Sequence, residues 1–223
     1  MMTFIKILTI FWKDILTEFR TKEIIVSVLV FALLVLVIFS FAFGTEAGTT
    51  ETIAPGILWV ALTFGGVIGF NRTFAMEKEN SRLEGLMLCP VDSAVIYWGK
   101  LAGSFTFMLV VAMVVTPIFL ALFNLPVFLP RLALVVVLAL IGFASVGTLF
   151  SALAVNTRAR DIMLPILFLP VVVPVIISAV KATGPVLAGG PWGDMLTWIQ
   201  ILIAFDVIYL VAATLVFEFV IEE

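Results

Sequence analysis

The sequence predicts an all-α integral membrane protein: six transmembrane helices, an interfacial amphipathic helix ahead of them, and a short cytoplasmic helix between spans two and three. Three observations predict it. The 223 residues are 63% hydrophobic and only 12% charged, whereas a soluble domain carries about 45–50% apolar and about 25% charged residues. A folded body with so little charge is suited to lipid rather than water. The apolar residues fall in runs long enough to cross a bilayer, and the cationic residues gather in alternate connections between those runs.

The chain reads as one transmembrane domain over residues 1–223. Residues 1–23 alternate apolar and charged positions. Phe4, Leu8, Phe11, Trp12, Ile15 and Phe19 form one helical stripe, opposite Lys6, Thr9, Lys13, Thr17 and Arg20. A helix patterned this way lies in the membrane interface, apolar face down. The alternative is a soluble amphipathic helix packed on a partner. No small-residue cleavage site follows, so this is not read as a signal peptide.

Spans are expected at about 24–43, 53–76, 98–123, 132–155, 162–180 and 198–220. The first is an uninterrupted apolar run, and at about 1.5 Å per residue it covers about 30 Å. The second carries Gly65, Gly66 and Gly69 on or near one face, where small residues let helices approach closely. They suit packing within the chain better than a dimer seam. The third contains Pro117, and Asn124 to Arg131 reads as a tight turn. The fifth carries Pro165, Pro170 and Pro174, so it should be kinked or locally broken. Lys181 to Thr197 reads as a Gly/Pro-rich loop.

Six spans put both termini on one side. If that side is the cytoplasm, ten cationic residues lie inside: Lys6, Lys13, Arg20, Lys22, Arg72, Lys78, Arg82, Lys100, Arg158 and Arg160. Only Arg131 and Lys181 lie outside. The positive-inside rule supports this orientation.

Several function classes are disfavoured. The net charge is −3, with no basic stripe to neutralise phosphates, so nucleic acid is not an expected partner. The one cysteine, Cys89, cannot form an internal disulfide and reads as a packing residue. Histidine is absent, which removes the commonest general base, metal ligand and proximal haem ligand. No GxxxxGK[ST] loop occurs: Gly99-Lys100 is followed by Leu and has no glycine at the upstream position. No paired carboxylates or nucleophile–base pair stand in the spans, so no catalytic residue and no metal site is expected.

The longest polar stretch runs from Arg72 to Tyr97. Charged residues come first: Arg72, Glu77, Lys78, Glu79, Arg82 and Glu84. An amphipathic run with Leu83, Leu86 and Met87 at helical spacing follows, closed by Pro90. It reads either as a short helix that docks on a soluble partner or as a solvated loop.

An acid, a short polar stretch and Leu83-Glu84-Gly85-Leu86-Met87-Leu88-Cys89-Pro90 resemble the cytoplasmic loop of type-2 ABC transporter permeases. Ile53-Ala-Pro-Gly-Ile-Leu-Trp59, the Arg72–Pro90 stretch and the ending Phe217-Glu-Phe-Val-Ile-Glu-Glu223 resemble, more narrowly, the haem exporter protein B (CcmB) family of cytochrome c maturation. The likeness covers the whole chain. It implies a permease subunit of the inner membrane that works with a separate ATPase, the A component, beside a haem-handling C component and a haem chaperone. It further implies that Arg72, Glu77, Glu79, Arg82, Leu83, Glu84, Gly85, Leu86, Met87 and Pro90 couple to the ATPase, and that closure of the ATPase pushes on spans two and three. Haem would be cargo of the complex, with no cofactor held by this chain. The alternative substrate classes are a drug, a lipid or a polysaccharide.

Asp206 is the one acid well inside an expected span. An unpaired charge there costs at least about 2.5–3.5 kcal/mol. It is expected to hydrogen-bond to Ser, Thr or carbonyls freed by Pro170 and Pro174, to meet a partner subunit, or to belong to a relay. Trp198 reads as an interface anchor. Trp192 is a weaker candidate for facing haem, since its surroundings do not match a tryptophan-rich haem motif.

Overall fold

Long apolar runs satisfy their own backbone only as helices in a membrane, and the structure, a computed structural model, builds seven of them among the described residues. Those residues are 2–21, 23–43, 49–79, 92–125, 130–155, 157 and 160–222. The helices are α1 (Met2–Thr21), α2 (Glu23–Phe43), α3 (Thr49–Glu79), α4 (Ser93–Leu122), α5 (Pro130–Val155), α6 (Arg160–Leu187) and α7 (Gly193–Glu222). Helices α2 to α7 are each long and apolar enough to span a bilayer. The protein is therefore a multi-pass membrane protein. Six spans alternate, so the α3–α4 and α5–α6 connections lie on the side that carries α1. The other three connections lie on the far side.

Helices α3 and α5 are the most deeply buried spans, and α2, α4, α6 and α7 surround them. Four aromatic rings tie the centre together. Trp59 of α3 meets Phe143 of α5 edge-on at 6.2 Å, Phe143 meets Phe168 of α6 at 6.0 Å, and Phe168 meets Phe70 of α3 at 5.7 Å. In lipid no hydrophobic force presses helices together, so this close, interlocking contact is what holds them. Large apolar side chains on the outer faces of α2 and α7, such as Leu34, Ile38, Ile208 and Leu215, are exposed, as a lipid-facing surface requires.

The helix ends have local causes. Asp92 caps α4: its Oδ1 accepts from the Ala94 amide at 3.1 Å, satisfying one orphan donor of the first turn. At the other end of α4 the Leu125 amide donates to the Leu120 carbonyl at 2.8 Å, with Asn124 at φ 53°. Helix α6 ends the same way. The Gly190 amide donates to the Pro185 carbonyl at 2.8 Å, and Gly189 has φ 70°. Both are Schellman stops, which need a left-handed residue that Gly or Asn supplies.

The structure corrects three expected boundaries. Helix α4 begins at Ser93, inside the polar stretch that had been expected to run to Tyr97, because Asp92 caps it there. Helix α6 is neither broken at Pro165, Pro170 or Pro174 nor finished at Val180; it runs unbroken to Leu187 with Pro185 also inside it. Each proline deletes one intrahelical bond, and the packed neighbours α3, α5 and α7 hold the helix through these gaps. The Lys181–Thr197 loop consequently shrinks to the few residues between Leu187 and Gly193.

Candidate functional site: the α1 side of the bundle

The residues at the α1 side are brought together by one stretch of α4. Gly99-Lys100-Leu101-Ala102-Gly103 places two glycines four apart on a helix face, and α1 lies in that notch. A Cβ on Gly99 would stand 2.7 Å from Ile10 Cγ2 and 3.4 Å from the Ile7 carbonyl. A Cβ on Gly103 would be 3.4 Å from Asp14 Cβ. Helix α1 packs mainly on α4 and hardly on α2, its neighbour in sequence.

Between the glycines, Lys100 is buried, 1% exposed, and its Nζ lies 3.0 Å from Asp14 Oδ2 and 3.2 Å from Oδ1. The Asp14 side chain is 11% exposed and also meets Lys13 Nζ at 3.3 Å. Removing one partner of a buried pair strands the other charge, which costs about 3–5 kcal/mol. The pair therefore joins the interfacial helix to span three.

Three further polar contacts continue inward between spans. Thr148 Oγ1 of α5 and Ser104 Oγ of α4 are 3.2 Å apart. Ser151 Oγ donates to the Phe70 carbonyl of α3 at 3.1 Å, and the Tyr97 hydroxyl donates to the Ser145 carbonyl at 3.4 Å. Tyr97 also packs on Phe217 of α7 at 5.2 Å between centroids. Interhelical hydrogen bonds of this kind add about 0.6 kcal/mol each on average in membranes. Every one joins residues that the alternating spans put toward the same side.

Helix α1 has two apolar faces. Leu8 and Trp12 are exposed, while Ile10 is buried and Ile7 packs beside it against α4. The sequence stripe through Leu8 and Trp12 thus faces away from the protein. A second face, carrying Ile7, Ile10 and Asp14, faces α4.

Arg72, Glu77 and Glu79 lie in the last turns of α3, on the α1 side. Arg82, Leu83, Glu84, Gly85, Leu86, Met87 and Pro90, with Cys89, fall outside the described residues, as does the short helix expected there. Of the glycines in span two, Gly65 approaches Val28 of α2, Gly66 approaches Met108 of α4, and Gly69 faces the Phe107 ring of α4. Pro165, Pro170 and Pro174 all stand within α6.

Asp206 lies near the middle of α7, 5% exposed, against Gly142 of α5; a Cβ on that glycine would be 2.9 Å from Asp206 Oδ1 and 3.2 Å from Val175 of α6. Neither carboxyl oxygen has a hydrogen-bond partner among the described residues. The expected bond to a hydroxyl or a freed carbonyl is not made, because the neighbours at this level are Gly142, Val175 and Phe205. On the far side, Arg131 donates to the Gly190 carbonyl at 2.9 Å and stands 4.9 Å from the centroid of Trp192. That contact ties the first turn of α5 to the α6–α7 turn.

Sequence reasoning missed the Asp14–Lys100 pair. Lys100 enters the sequence reading only in the charge count and, with Gly99, as a failed phosphate loop. The available signal was a lysine within an apolar span, between glycines four apart, with an acid in the preceding interfacial helix. Among the described residues no three metal-ligating side chains converge, and nothing in the arrangement sets a nucleophile beside a base.

Known proteins resemble this chain over most of its length. Heme exporter protein B of Pseudomonas aeruginosa is 27% identical over 187 residues, covering 83% of this chain and 84% of the relative. The protein of the same name from Paracoccus denitrificans is 29% identical over 195 residues, 83% of this chain and 84% of the relative. That of Haemophilus influenzae is 27% identical over 190 residues, 85% and 86% respectively. Residues 5–222 match the CcmB protein family, and with six spans and an interfacial helix bolted to the third, the chain belongs to that family.

Proposed function

We propose that this chain is the membrane-embedded permease subunit of an ATP-driven haem exporter that serves cytochrome c maturation. The observation that carries this reading is the family match across residues 5–222, borne by relatives named heme exporter protein B over more than four fifths of the chain. In this reading the subunit is a transporter component and not itself an enzyme. A separate ATPase, the A component, hydrolyses ATP and docks at the segment from Arg72 to Pro90. A haem-handling C component and a haem chaperone complete the complex. The membrane is the inner membrane, with both termini cytoplasmic; the ten-to-two distribution of Lys and Arg supports that orientation.

The residues of this chain transmit force. The bases of α3 and α4 flank the docking segment, and both are tied to α5 by Ser151, Thr148 and Ser104. A push at this end therefore moves packed helices together. Haem is cargo rather than cofactor in this reading, because a chain without histidine lacks the usual axial ligand.

The test is a chromosomal deletion of this chain, complemented by the intact sequence, with haem staining of c-type cytochromes and affinity purification of the complex. Loss of cytochromes on deletion, their return on complementation, and a co-purifying ATPase are expected. Normal cytochrome c in the deletion strain would refute the haem assignment. An absent ATPase would refute the permease assignment.

A further inference from the structure

We propose that Asp14 and Lys100 are positioning residues that make α1 and the base of α4 a single lever, so that displacement at the docking segment is carried into the interfacial helix as well as into span three. The inference rests on the permease reading above and names a part of its coupling machinery outside the docking segment.

Four observations carry it. Helix α4 begins at Ser93, directly after the docking segment, and Asp92 pins its first turn. Lys100 lies two turns further along. It is 1% exposed, and its Nζ lies 3.0 and 3.2 Å from the two oxygens of Asp14, so a lysine buried in an apolar span is compensated by an acid of α1. At Gly99 the notch seats α1 so closely that Ile10 occupies the space where a side chain would stand, and at Gly103 Asp14 lies in van der Waals contact. Finally, α1 is attached to α4 and scarcely to α2, so it follows α4 rather than its neighbour in sequence. A helix with Leu8 and Trp12 exposed on its outer face then moves within the interface whenever α4 moves.

The experiment uses the full complex purified in lipid nanodiscs, and cells that depend on it. Asp14→Lys, Lys100→Asp and the exchanged double variant Asp14→Lys/Lys100→Asp are compared with the milder Asp14→Asn and Lys100→Met. Three quantities are measured: assembled complex, ATP hydrolysis per complex, and cytochrome c formed per complex. Wild type establishes first that an ATPase is present and that cytochrome c depends on the complex; failure there sinks the permease reading and not the lever alone.

With wild type behaving as expected, the milder variants should assemble and hydrolyse ATP while cytochrome c per complex falls about tenfold, as for loss of a directly coupled pair. The exchanged variant should recover most of the loss caused by either reversal. Cytochrome c per complex unchanged in the milder variants would overturn the proposal. So would losses of assembly, hydrolysis and yield in equal proportion, or an exchanged variant no better than its parents.

Discussion

The indole Nε1–H of Trp59 donates to Thr183 Oγ1 at 2.9 Å, and the same hydroxyl donates back to the Ala179 carbonyl at 2.7 Å. This buried relay joins α3 to α6 near the far side of the bundle, 124 residues apart in sequence. Trp59 also meets Phe143 of α5 edge-on, so one side chain holds three spans.

Trp59→Phe should be at least as damaging as Thr183→Val, since it also leaves a cavity beside Phe143. The valine leaves a buried indole N–H unsatisfied, and the phenylalanine removes the donor itself. The lost hydrogen bond should cost each about 0.6–2 kcal/mol in a membrane, and the double variant should cost less than the sum. Thermal unfolding midpoints of the purified chain in nanodiscs test the order.

Gly147 admits the Phe70 ring; a Cβ there would stand 2.5 Å from Phe70 Cδ2. Phe70 cannot withdraw easily, because its ring packs on Phe168 and its carbonyl accepts from Ser151. Gly147→Ala should destabilise by about 1–3 kcal/mol through overpacking. Phe70→Leu in the same chain should restore part of that loss. Strict additivity of the two changes in unfolding midpoint would contradict this packing.

Asp206 is buried against Gly142 without a hydrogen-bond partner among the described residues. An acid kept at such a site works against stability by about 2.5–3.5 kcal/mol on insertion scales, and intramembrane acids are retained chiefly for function. Asp206→Asn should accumulate in membranes at least as well as wild type while lowering cytochrome c yield several-fold. Quantitative blotting and haem staining measure both. Unchanged yield would exclude a role that depends on charge.

Haem added to the purified chain in nanodiscs should give no stoichiometric, axially ligated Soret spectrum, since no histidine is available. A saturable one-to-one spectrum with sharp α and β bands would place a haem site in this chain.

With Cys89 replaced by Ser, a cysteine at Leu86 should react with an impermeant maleimide only after the membrane is opened. One at Trp192, beside Arg131 on the far side, should react in intact spheroplasts. The reverse pattern would invert the topology.

Much of this fold was legible because lipid simplifies the code. A run such as Ile24 to Phe43 has one physical reading, and Asn124 stands where the chain turns. The length of α6 was not legible: prolines and Gly184 predict a stop in water, yet inside a bundle neighbouring helices compensate for their missing bonds. Asp14–Lys100 and Ser104–Thr148 were not legible either. Their partners lie 86 and 44 residues apart, and only the crossing of helices brings them together. The glycines of span two showed that something approaches closely; Val28 and Phe107 could not be named from spacing alone.

The prolines of α6 also set where that span can yield. Pro170 and Pro174 offer no amide hydrogen to the carbonyls of Ile166 and Pro170, four residues earlier, and the side chains of Ile166 and Pro170 are exposed. Bending there has two fewer backbone bonds to strain than elsewhere in the helix. Under load, α6 would flex at that joint more readily than α5, which carries no internal proline.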